Sequence, residues 1–278
     1  MGFAVSKKVH ASIGLNTFSE TGYDMQTVLT DESTYGTAIN TYQGNGTINK
    51  IYLGLSMAPA KNLKVGAHAS YLFGNLKNLS EIKFMPEGSA NPYGTLKETH
   101  ISDVCFDFGA QYQIDINKTS HITLGAVFTP AQKINNKYSN LIAQIIEVED
   151  NNNLVLKADT LEYTEIEEPD FTIPLSYGFG VSYQIDNVLT LAFDYKYENW
   201  ANSTTPDPTI NLKNGSTVDM RRFSGGCEYI PNDRSANNYL QRIRYRLGGY
   251  YLNDYISING QQVEDIGMSF GLGFPLKR

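Results

Sequence analysis

The chain has 278 residues, with 22 Lys and Arg against 29 Asp and Glu, a formal net charge of −7. That balance excludes a nucleic-acid surface, because neutralising backbone phosphates needs a basic face. No apolar run reaches the roughly 18 residues a membrane-crossing helix requires, which leaves open a strand barrel, where only every second residue meets lipid.

The first residues, MGFAVSKKVHASIG, show no charged segment followed by an apolar core, so no signal peptide is visible. Either a leader has been removed or the sequence is an interior piece of a longer chain. Residues 2–5 read as a strand end and Ser6-Lys7-Lys8 as a turn. From Val9, the residues Val9, Ala11, Ile13 and Leu15 share one face of a strand. Residues 19–46, polar and rich in Gly, Thr and Asn, read as a long loop that could carry its own hairpin.

Residues 47–76 organise the rest. Ile51, Leu53, Leu55 and Met57 alternate with Tyr52, Gly54 and Ser56; after a brief turn Val65, Ala67, Ala69, Tyr71 and Phe73 alternate with Gly66, His68, Ser70 and Gly74. Period two held over two such runs is a pair of strands, each long enough to cross a hydrocarbon layer at about 9 to 11 residues. A second long connection spans 77–98, punctuated by Pro86, Gly88, Pro92 and Gly94.

Val104, Phe106, Phe108, Ala110 and Tyr112 then oppose Asp103, Cys105, Asp107, Gly109 and Gln111, and Ile122, Leu124, Ala126 and Phe128 follow a tight turn. Within the connection 131–170, a hairpin about Asp150-Asn151-Asn152-Asn153 mixes charged and apolar residues on its faces and should stand in water. Tyr177, Phe179, Val181 and Tyr183 lead through Asp186-Asn187 into Leu189, Leu191, Phe193, Tyr195 and Tyr197. After a long loop at 201–218 come Phe223, Gly225, Cys227 and Tyr229. Tyr245, Leu247 and Tyr251 follow, and finally Ile266, Met268, Phe270, Leu272, Phe274 and Leu276.

That is about 11 strands in one domain over residues 1–278, with brief and lengthy connections in strict alternation. Outer-membrane barrels sort their turns in that way, and a soluble sandwich has no reason to. The fold class expected is all-β, an antiparallel transmembrane β-barrel whose partner is the lipid bilayer with its lipopolysaccharide, in the bacterial outer membrane. A secreted soluble β-sandwich is the competing fold. The 19 Tyr and 13 Phe suit interfacial girdles. Of the two cysteines, alternation turns Cys105 inward and Cys227 outward, so no bond between them is expected.

Several phrases resemble the long-chain fatty acid transporter family, FadL/OmpP1, in its Bacteroidetes form: GLNTFSETGY (14–23), NKIYLGLSMAPAKNLKVGAHASYLFG (49–74), IPLSYGFGVSY (173–183), FDYKYENW (193–200), GGCEYIPND (225–233) and SFGLGFPL (269–276). The resemblance implies a 14-stranded barrel, an N-terminal hatch in the lumen, and hydrophobic substrates leaving by a lateral opening. It also implies a fragment here, since no hatch precedes Gly2 and further strands are expected after Phe274.

Candidate sites follow from the inward faces. Arg222, Arg242, Arg244 and Arg246 would face the lumen with Asp103, Asp107, Asp194, Glu198 and Glu228. They form either a field that steers an amphipathic ligand or a salt-bridged filling of the lumen. Pro174 is either a strand-end proline or a kink in the wall. The four histidines lack ligand spacing, so no metal and no cofactor is expected, and no nucleophile elbow, phosphate loop or zinc-protease motif suggests an enzyme. The expected function is transport of hydrophobic or amphipathic small molecules. The alternative is a partner subunit for other outer-membrane proteins in secretion or assembly.

Overall fold

The computed structural model describes all residues except 32–35, 86–90, 151–152, 168–170, 204–216, 236–237, 259 and 276–278. Eleven strands follow one another as antiparallel neighbours in a single sheet. They are β1 (Gly2–Ala4), β2 (Val9–Asp31), β3 (Gly36–Ala60), β4 (Leu63–Met85), β5 (Tyr93–Asp115), β6 (Ser120–Thr129), β11 (Ser176–Ile185), β12 (Leu189–Glu198), β13 (Met220–Tyr229), β14 (Arg244–Ile258) and β15 (Gln261–Gly273). The remaining four are β7 (Gln132–Lys133), β8 (Asn136–Asp150), β9 (Asn153–Glu167) and β10 (Thr172–Ile173). Among the described residues, β1 and β15 stand at the two ends of the path.

Alternation decides which way each side chain points. Val104 and Phe106 of β5, on the lipid face, are 46% and 47% exposed, while Cys105 between them is buried. On the end strand β15, the same outward face leaves Met268 88% and Phe270 91% exposed, because no neighbour covers their far side. Cys105 and Cys227 are both free thiols, as their opposite faces require.

β6, β11, β12 and β13 are 10 residues each, the length of one tilted crossing. By contrast β2, β4 and β5 have 23 residues and β3 has 25. At about 3.3 Å per residue, such strands run roughly 75 to 80 Å, far beyond a hydrocarbon core of about 30 Å. The excess is a sheet that projects past the wall, in the order β2-β3-β4-β5-β8-β9. This corrects the reading of 19–46 and 77–98 as loops: outside residues 32–35 and 86–90 most of both is ladder. The hairpin of β8 and β9 is as expected, although its tip at 151–152 lies outside the described residues.

The wall becomes the projecting sheet along one cross-strand row. Ser19 pairs with Ile48, Ile48 with Gly74, Gly74 with Ile101, and Ile101 with Asn136. β2 bulges between Thr17 and Ser19 at this level. Gly74 has φ +145° there, and Gly46, two residues along β3 from Ile48, has φ +128°. A Cβ on Gly74 would strike the Thr47 carbonyl oxygen, so only glycine lets the two backbones approach at the bend.

A break in the wall and the chamber behind it

The ladder of the wall is interrupted beside β5. From Phe108 to Asp115, β5 pairs with β6, and from Tyr93 to Ile101 with β8. Over residues 102–107 it keeps β4 on one side, and among the described residues no strand ladder lies on the other. β6 and β8 are thus one wall strand cut in two. β11 and β9 are cut at the same height, since Ser176 of β11 pairs with Thr129, the last residue of β6.

Prolines stand at both cuts. Pro130 follows Thr129 at once and Pro174 lies buried between β10 and β11. Neither has an N–H to continue a ladder. At each cut a short segment turns to the inside, where Gln132 pairs with Ile173 and Lys133 with Thr172 as a two-stranded ribbon. The Ile134 N–H donates to the Phe171 carbonyl at 2.9 Å. Ile134 and Phe171 are buried against the inward residues Ile48, Leu72, Ile101 and Cys105, with Leu76 and Ile173 alongside. On the ribbon's other side, the Ser203 hydroxyl, just after the 3-10 turn Trp200–Asn202, donates to the Thr172 carbonyl.

Side chains satisfy part of the backbone left over in the gap. The Phe106 N–H donates to Gln132 Oε1 at 2.7 Å, and Gln132 Nε2 donates back to the Phe106 carbonyl at 3.2 Å. One carboxamide takes the place of a missing strand neighbour. Asp103 acts likewise: its carboxylate accepts from the Val104 N–H at 2.6 Å and from the Asn135 N–H at 2.7 Å. In a bilayer every backbone polar group needs such a partner.

Behind the gap, a chamber of about 880 Å³ lies against the inner face. Its lining includes Lys64, His68, Asp107, Asp194, Lys196 and Arg222. Asp107 stands beside the gap, paired with Lys50 Nζ at 2.7 Å and accepting from Thr129 Oγ1 at 2.8 Å. Gly180 lies under the Asp194 carboxylate, which a Cβ there would strike. Arg222 lies over the Tyr250 ring, 4.9 Å from its centroid.

The other sequence-derived candidates fall elsewhere. Glu198 accepts from Lys196 Nζ and from Trp200 Nε1, both at 2.6 Å, near the long-loop rim. At the opposite end, Arg246 Nε lies 2.6 Å and Arg244 Nη1 3.7 Å from the Glu228 carboxylate. Arg242 is not on the strand with them: it closes the 3-10 turn Tyr239–Arg242 before β14. Its guanidinium sits 6.0 Å from the Tyr239 ring centroid. The structure thus brings Asp107, Asp194 and Arg222 to one chamber, puts Asp103 and Pro174 at the break, and leaves Glu198, Glu228, Arg242, Arg244 and Arg246 at the rims. Sequence reasoning did not single out Gln132, Pro130, Ile134 or Phe171. The available signal was the pair of prolines, which only the contact between β6 and β11 reveals as neighbours.

An antiparallel sheet with one apolar-out face, short turns at one end and extended strands at the other defines an outer-membrane β-barrel. In agreement, the chain resembles a solved structure described as the CymD monoaromatic hydrocarbon channel. The TM-score is 0.51 and the identity 13%, over 98% of this chain and 72% of that one. No curated protein matches it. The BamG family model matches residues 1–278, and the chain belongs to that family.

Proposed function

We propose that this barrel admits hydrophobic or amphipathic small molecules across the bacterial outer membrane, and that they pass between chamber and bilayer through the break beside β5. The supporting observation is the ladder gap at residues 102–107, patched by the Gln132 carboxamide rather than by a strand. An apolar molecule leaving there enters acyl chains without crossing water, so no catalytic step is needed. In this reading the likeness to FadL-type barrels extends to function. Arg222, Asp107 and Asp194 are the chamber residues that would orient a polar head.

Ser102 and Asn135 flank the gap, with the Ser102 N–H donating to the Asn135 carbonyl at 3.3 Å. In a Cys105→Ala, Cys227→Ala background, the pair Ser102→Cys and Asn135→Cys pins the ribbon when oxidised. Uptake of a hydrophobic probe into proteoliposomes should fall on oxidation and return with reductant. Equal uptake in both states would overturn the passage.

A second reading has its own support: the match to the Bam-related family over the whole chain, and an inner face partly filled by Ile48, Leu72, Ile134 and Phe171. Here the barrel is a partner subunit in outer-membrane assembly. It predicts stoichiometric co-purification with outer-membrane assembly proteins that is indifferent to the disulfide, and no probe flux.

A further inference from the structure

The lipid-facing side carries a second concavity, on the outside of the barrel, starting at the first residues of β11 beside the cut at Pro174. Tyr177 of β11, Tyr195 and Tyr197 of β12, and Arg221 and Phe223 of β13 line a shallow groove of about 680 Å³. We propose that this groove binds the phosphorylated headgroup of an outer-leaflet membrane lipid, with Arg221 as the phosphate ligand.

The placement follows from register. Tyr177, Tyr197 and Arg221 form one cross-strand row, and Phe179, Tyr195 and Phe223 the row two residues deeper in the wall. Both rows share the outward face with Phe193 and Val181, which are exposed to lipid. Tyr197 is the second-last residue of β12 and Arg221 the second of β13, at the end of the wall that carries the long connections. That is the level at which acyl chains give way to headgroups, the belt that tyrosines favour.

The rings set the shape. Tyr177 stacks on Tyr197 and Tyr195 tilts against Phe223, both at 4.9 Å between centroids, leaving a trough with aromatic walls. At its polar end stands the Arg221 guanidinium. Among the described residues Arg221 forms no ion pair, whereas Lys50, Lys196, Arg244 and Arg246 each have a carboxylate. The carboxylate nearest in sequence, Asp219, is already engaged, accepting from the Tyr197 hydroxyl at 2.7 Å and the Ala201 N–H at 3.2 Å. A guanidinium held outward among rings offers its planar fork to a phosphate, while the trough receives the first acyl carbons. A free phosphate would use the fork and leave the trough empty.

The test compares intact protein with Arg221→Gln and with Lys118→Gln, which removes the same charge at the turn on the opposite rim. Binding of bis-phosphorylated lipid A, of the same lipid with its phosphates removed, and of inorganic phosphate is measured on detergent-purified protein by native mass spectrometry. Heat-modifiable gel mobility checks that each variant is folded. The proposal expects Arg221→Gln to weaken the phosphorylated lipid about tenfold, the loss of one charge-assisted bond, with Lys118→Gln unchanged and the dephosphorylated lipid alike on all three proteins. It is overturned if wild type holds both lipid forms equally, which would make the rings an ordinary interfacial girdle. It is also overturned if the two variants behave alike, or if inorganic phosphate competes as well as the lipid does.

Discussion

The lipid-embedded wall and the sheet that projects from it are built from the same strands, yet different forces hold them. In the wall, outward apolar side chains are immersed in acyl chains and the inward ones meet a chamber, so the face rule is enforced at each residue. Beyond the row Ser19–Ile48–Gly74–Ile101–Asn136 water lies on both sides and the rule relaxes. On β2, Val28 and Leu29 are neighbours on opposite faces and both are exposed. The ladder itself, with Thr, Tyr and Val favouring extended backbone, carries the projection. One set of strands therefore serves two solvents, and the joint between them is where glycines, bulges and the ribbon gather.

The sharpest way to break this comparison is Gly74→Val. Positive φ alone costs about 1 to 3 kcal/mol in a non-glycine residue, and the added Cβ strikes the backbone at Thr47. A total above about 4 kcal/mol is expected, read in urea unfolding, with amide protection lost first in residues 74–85 and 36–48. Loss starting in β12 or β13 instead would show that the bend is no joint. Next comes a paired comparison of Leu72→Ala with Phe106→Ala. Leu72 is fully buried under the ribbon, so its truncation leaves a cavity worth about 2 to 5 kcal/mol. Phe106 faces lipid that refills the space, and about 1 kcal/mol or less is expected. Gln132→Ala should cost about 1 to 3 kcal/mol by orphaning both polar groups of Phe106. Gln132→Glu, which keeps the acceptor and loses the donor, should lie between.

These expectations also mark how far the sequence could be read. The alternation of Val104, Phe106 and Phe108 against Asp103, Cys105 and Asp107 is legible because lipid tolerates no exception over a crossing, and the about 11 strands read there match the 11 along the path. Residues 19–46 read as a loop because a sheet wetted on both faces has no apolar period; Thr21, Tyr23, Thr27 and Val28 carried only a propensity. The chamber was half legible. Asp107, Asp194 and Arg222 follow from face alone, but the break needs β6 to pair with β11 across 46 intervening residues, from 130 to 175. No local pattern announces such a contact. Pro174 was visible as a punctuation mark, and its companion Pro130 gave it meaning only in three dimensions.

The smallest effects sharpen the contrast at its two extremes. At the end of the wall opposite the projection, Glu228 is shared by Arg244 and Arg246, whose side chains are about half exposed, and screening leaves such pairs about 1 kcal/mol or less. Glu228→Gln should therefore barely move the urea midpoint; a larger shift would mean the pair lies in a drier lumen than its exposure implies. In the projecting sheet, the Tyr163 hydroxyl donates to Glu165 at 2.9 Å, and that carboxylate holds the phenol above its ordinary range. A raised folded value means the bond contributes fully below the ordinary phenol value of about 10 and is lost as pH climbs past the raised one. Subtracting the alkaline titration of Tyr163→Phe from that of the intact protein should show one tyrosinate forming later than an exposed tyrosine. Ionisation at the ordinary value would mean that the bond does not persist in water. The two-solvent picture requires the projection to hold its ladder without such help, so Tyr163→Phe should leave amide protection in β8 and β9 unchanged.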